Sequence, residues 1–132
     1  MRTINKIIIH CTATKDGRPV SVAEVTAWHR ERGFVTIGYH YLIGLDGEIM
    51  RGRPIEQVGA HCTGQNANSI GISYVGGLDA AGNPKDTRTQ AQKESLYRLV
   101  KELKETYPAA TVHGHREFAN KACPCFDVSK EF

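Results

Sequence analysis

The period of the apolar positions changes several times along the chain, and each change marks an element. Ile7, Ile8 and Ile9 follow one another without a polar break in the run KIIIH, residues 6–10. Three β-branched residues in succession predict a strand buried on both faces. Ser21 and Glu24 have the spacing of a capping box and predict a helix over Val22–Arg32 that stops before Gly33. Tyr39–Leu45 and Glu48–Arg51 read as two strands joined by the hairpin dipeptide Asp46-Gly47. Ser69–Val75 reads as a further strand. Thr89 and Gln92 repeat the capping-box spacing, and Leu96, Leu99, Val100, Leu103 and Tyr107 then recur at helical intervals. They predict a long amphipathic helix that ends before Pro108, and Ala110–His113 follows as a last strand. Strand, helix, strands, helix, strand is the order of an α/β fold with a mixed central β-sheet flanked by helices.

The 132 residues amount to one domain, 1–132, with no internal repeat or linker. Seventeen Lys and Arg against fourteen Asp and Glu give a formal charge of +3. That balance favours anionic surfaces, but no basic run is dense enough for a nucleic-acid arm, so no nucleic-acid partner is expected. The apolar run at Ile7–Ile9 is too short for a signal-peptide core or a membrane span. Synthesis in the cytoplasm without membrane insertion is therefore expected, with release or export left to another factor. With no leader, the four cysteines, Cys11, Cys62, Cys123 and Cys125, are expected as free or metal-bound thiols rather than disulfides.

The chemistry-bearing residues gather at the two ends of the chain. His10 closes the first predicted strand, and His113, His115, Cys123 and Cys125 cluster late. Imidazole nitrogen and thiolate sulfur are favoured zinc ligands, and a catalytic zinc takes three protein ligands and keeps one position open. Spacing alone does not choose within the pair His113 and His115, nor within Cys123 and Cys125. The bland alternative is that the histidines cap or coat the sheet and the cysteines pack as small apolar residues. No phosphate-binding glycine loop, nucleophile elbow or CxxC redox motif is present.

The stretches HCTAT, GYHYLIGLDGEIMRGR, NSIGISYVGG and HREFANKACPCFD resemble the N-acetylmuramoyl-L-alanine amidases of the phage T7 lysozyme type. That group lies within the wider amidase-2 and peptidoglycan-recognition family. The resemblance runs from Ile7 to Asp127 with the motifs in family order. It implies a zinc ion held by His10, His115 and Cys123, and catalytic positions at Tyr39 and Lys121. It leaves His113 and Cys125 without a role, and Cys125 stands where relatives often carry a small polar residue. The implied reaction is hydrolysis of the amide between N-acetylmuramic acid and L-alanine in peptidoglycan, with zinc activating water. Lys121 would then stabilise the oxyanion and Tyr39 would orient water or move protons.

His61, in the loop GAHCTGQNANS, is expected to touch substrate, and Glu117 is a candidate to orient His115. His29 is expected to be a packed or surface helix residue, and His40 to point away from the site. A monomer is expected, with no appended wall-binding domain after Phe132. Two rival readings are a non-catalytic peptidoglycan-binding module and an interaction protein with a structural zinc. A fourth protein ligand, Cys125 or His113, would be the mark of the structural site.

Overall fold

A computed structural model describes residues 2–132. Its centre is a five-stranded sheet in the order β4-β3-β5-β1-β7. β1 (Lys6–Cys11) lies between two parallel neighbours, β5 (Ser69–Tyr74) and β7 (Thr111–Gly114). That position explains its unbroken isoleucines, since both faces of a central parallel strand are covered. Ile7, Ile8 and Ile9 are each 0% exposed. β3 (Tyr41–Ile43) runs parallel to β5 and antiparallel to the edge strand β4 (Ile49–Arg51).

The two helices cover opposite faces. α2 (Gln90–Thr106) lays Leu96, Leu99, Val100 and Leu103 on Ile7, Ile9, Ile70 and Ile72. α1 (Val22–Glu31) contributes Val25 to a smaller cluster with Ile37, Leu42 and Val75. Alternation along β1 therefore sends Ile7 and Ile9 towards α2 and His10 towards the α1 side. Both predicted capping boxes form, Ser21 with Glu24 and Thr89 with Gln92. Gln92 also reaches into the sheet, where its side-chain amide donates to the carbonyl of Val75 at 2.9 Å.

The elements match the sequence-based expectation with shifts at their ends. The α1 helix stops one residue early, with Arg32 as its C-cap. The ladder of β3 begins at Tyr41 rather than Tyr39. Tyr39 and His40 still bond to both sides, the carbonyl of Tyr39 accepting from Arg53 N–H and His40 N–H donating to Gly71. The last strand is displaced by one residue, to Thr111–Gly114, because Ala110 N–H is used in a turn to Tyr107. The sequence pattern did not predict the two-residue strands β2 (Thr14–Lys15) and β6 (Gly77–Leu78), which pair with each other in a second small sheet.

Two features fix the ends of the strands. In the β3–β4 hairpin, Asp46 Oδ1 accepts from Glu48 N–H at 2.9 Å, and Gly47 has φ +88°. A Cβ on Gly47 would stand 2.8 Å from the carbonyl oxygen of Ala91, so the turn and α2 meet through glycine. The segment after β7 is held by Arg88. Its guanidinium bonds Asp86 and Glu131 and lies 3.4 Å over the Phe126 ring.

Candidate active site

The site forms where β1 and β7 end side by side. Ile9 pairs with Gly114, so the next residue of each strand, His10 and His115, emerge as neighbours. Their Nδ1 atoms are 3.1 Å apart. The chain then leaves through a turn at His115–Glu117 and returns with Cys123. Cys123 Sγ accepts from the backbone N–H of Cys11 at 3.2 Å, and the Cys123 carbonyl accepts from Arg116 N–H at 2.8 Å. One ligand atom from each of His10, His115 and Cys123 lies within 4.8 Å of the others.

This donor set suits a metal ion. Two imidazoles and one thiol are zinc-type ligands, and each binds only when deprotonated at the ligating atom. The surroundings favour those forms. Burial, then the neighbouring histidines and Lys121, lowers the pKa of His10 well below its ordinary value. Burial and the charge of Lys121 also lower that of His115. Hydrogen bonding from Cys11 holds the Cys123 thiol below its usual range against the opposing effect of burial.

The structure separates the pairs that spacing left open. His113 turns outward: Thr111 Oγ1 donates to its Nε2 at 2.6 Å, and its Nδ1 donates to Glu117 at 2.9 Å. Glu117 therefore does not orient His115; its second oxygen accepts from Gly114 N–H and so tightens the end of β7. The Cys125 thiol points to the Gly77 carbonyl at 3.3 Å and lies 3.9 Å from Cys11 Sγ. Among the described residues no fourth His, Cys, Asp or Glu joins the set. All four cysteines are free.

His115 and Cys123 line a cleft of about 380 Å³, with His10 buried behind them. Tyr39 and Lys121 both line it, Tyr39 with its ring 5.1 Å from that of His10. Burial raises the Tyr39 pKa, so its hydroxyl stays protonated. Lys121 is exposed at the rim. Trp28, Arg32 and Phe34, from the end of α1 and the loop after it, form part of the wall. The sequence reading did not single these out, although WHRERGF does place three large side chains at a helix end. Among the described residues, no Asp or Glu lines the cleft.

The remaining histidines are structural neighbours of the site. His29 Nδ1 accepts from Gly38 N–H at 2.8 Å, and its ring packs on Tyr39. His40 Nδ1 accepts from Gly71 N–H at 3.0 Å, and its other nitrogen donates to Gln57 at 2.9 Å. His61 borders the cleft, where the sequence reading expects it to touch substrate. Both its nitrogens are engaged inside the protein, Nδ1 with His10 at 2.8 Å and Nε2 with Ser69 Oγ at 3.2 Å.

Comparison with known proteins agrees with this geometry. The family model described as N-acetylmuramoyl-L-alanine amidase matches residues 1–126. The chain belongs to the N-acetylmuramoyl-L-alanine amidase family. This amidase is 43% identical over 126 residues to the endolysin of Klebsiella phage KP32, covering 96% of the chain and 83% of the relative. It is 43% identical to the endolysin of Escherichia phage T7 over 124 residues, 94% of the chain and 82% of the relative. Its fold superimposes on the amidase LysC from Clostridium intestinale with a TM-score of 0.86 at 30% identity, covering 98% and 83% of the two chains. No described helix of this amidase is long and apolar enough to cross a membrane.

Proposed function

We propose that this amidase acts on bacterial cell-wall peptidoglycan, splitting the amide between the lactyl group of N-acetylmuramic acid and L-alanine. The observation that carries the reading is the three-ligand set His10, His115 and Cys123 beside a cleft that His115 and Cys123 line, with no fourth His, Cys, Asp or Glu in the set among the described residues. Zinc held there would supply Lewis acidity and an acidified water, with a pKa of about 7. The protein's own groups do the rest. Lys121 brings a positive charge to the rim, where the oxyanion of the tetrahedral species develops. Tyr39 keeps its proton and can donate a hydrogen bond to the reacting carbonyl or to water. With no carboxylate lining the cleft among the described residues, Tyr39, Lys121 and water are the proton-bearing groups at hand for the departing amine.

In this reading the chain is one catalytic unit that works as a monomer after reaching the wall. The endolysin relatives support a lytic role. Digestion of purified peptidoglycan tests the whole reading. Mass spectrometry is expected to find stem peptides with new L-alanine amino termini. A chelator is expected to abolish their release, and added zinc to restore it. Fragments cut within the glycan, or release that ignores exhaustive chelation, would refute it.

A further inference from the structure

The mechanism above leaves one buried side chain beside the ligand set unused. His61 lies between β4 and β5, and its ring meets that of His10 edge-on, at 89° with centroids 4.9 Å apart. The contact is a hydrogen bond, His61 Nδ1 to His10 Nε2 at 2.8 Å, and the far nitrogen of His61 stands 3.2 Å from Ser69 Oγ. His61 is only 8% exposed, and Ser69 is 0% exposed.

The ring of His61 sits in a slot made by missing side chains. A Cβ on Gly71 would come within 2.6 Å of the ring, and one on Gly59 within 2.7 Å. The backbone that carries it is fixed too, because Asn66 Oδ1 accepts from the N–H groups of both His61 and Cys62, at 3.0 and 2.9 Å. Little rotational freedom is left to this imidazole.

The direction of the hydrogen bonds follows from which atom faces the metal set. His10 turns Nδ1 towards His115, so Nδ1 is its ligating nitrogen and carries no proton. The proton of neutral His10 is then on Nε2 and is donated to His61 Nδ1. His61, having accepted there, holds its own proton on Nε2 and donates it to Ser69 Oγ. We propose that His61 is a positioning residue, which locks His10 in the tautomer and ring orientation needed to hold the metal. This rests on the three-ligand reading above. Metal-bound histidines usually find such a partner in a carboxylate, a carbonyl or water. Here it is a neutral imidazole, backed by a serine, so the ligand set gains orientation without gaining negative charge.

The test uses the full chain as wild type, His61→Ala and His61→Gln. Zinc affinity is measured by competition with a chromophoric chelator, and the His10 tautomer by long-range proton–nitrogen correlation of the zinc-loaded proteins. His61→Ala is expected to weaken zinc binding about 10- to 100-fold and to blur the single His10 tautomer. His61→Gln, whose side-chain oxygen can accept from His10 Nε2, is expected to recover most of the affinity and the tautomer. Wild-type affinity and unchanged His10 signals in His61→Ala would overturn the proposal. Equal weakening in both variants, with His10 keeping its tautomer, would also overturn it and make His61 a packing residue only. Failure of the wild type itself to bind zinc would instead remove the reading underneath.

Discussion

Replacing Lys121 with alanine isolates the electrostatic part of the proposed mechanism. The side chain is exposed and takes part in none of the ion pairs among the described residues, so its removal leaves no partner stranded. Folding stability should therefore stay within about 0.5 kcal/mol of wild type, a shift of no more than ~2–3 °C in Tm. Zinc content should not fall, because the charge being removed repels a cation. Turnover is another matter. Loss of a group that stabilises a developing oxyanion costs roughly 2.7–4 kcal/mol, or about 100- to 1,000-fold in kcat. Since the charge acts on the transition state more than on the bound wall fragment, kcat should fall far more than KM rises. The assay is release of L-alanine amino termini from a defined muramoyl peptide, with zinc content measured on the same sample. Lys121→Arg, which keeps the charge, should recover part of the loss. Wild-type turnover in Lys121→Ala would refute the assignment. So would a loss of activity matched by an equal loss of zinc.

Cys123→Ser should lower zinc affinity severely and abolish lysis, because a hydroxyl replaces the thiolate. Full zinc loading in that variant, measured by elemental analysis, would shift the ligand role to Cys125. Gly47→Ala should destabilise the fold by about 1–3 kcal/mol in urea unfolding, since φ is +88° and the added methyl meets the Ala91 carbonyl at 2.8 Å. An unchanged midpoint would show that the hairpin can move away from α2. Stability of the chelated protein should depend on pH between about 6.5 and 4. Burial depresses His29 and His40 from 6.5 to about 4, so in that window the unfolded chain binds protons that the folded one does not. Their contribution is fully present above pH 6.5 and is lost as pH falls towards 4. A flat urea midpoint across that window would contradict the burial of these rings.

The long elements were legible in the sequence because each has its own apolar period and, for the helices, a capping box that forms as spaced. β2 and β6 were not, since two residues carry no period and they pair only because β1 and β5 bring them together. The site was half legible. His10 stood out at the end of an isoleucine run, but spacing could not tell His113 from His115. The choice is made by the register of β7, which ends at Gly114 beside Ile9 and leaves His115 next to His10. The choice between Cys123 and Cys125 is equally tertiary, because it depends on which thiol the returning segment lays against Cys11 N–H. The partners of His61 were invisible for the same reason. They come from β1 and β5, one of them 51 residues away.

The division of the proposed ligands along the chain has a practical consequence. His10 enters the sheet on its central strand, while His115 and Cys123 arrive after α2. A cut in the exposed turn at Ala80–Asn83 would put one ligand on the first fragment and two on the second. Neither piece alone holds the trio, so on the proposed reading wall-splitting activity is expected to return only when the two fragments reunite through strand pairing. On the proposed ligand reading, such a pair of fragments would serve as a split reporter, read by the clearing of a bacterial suspension.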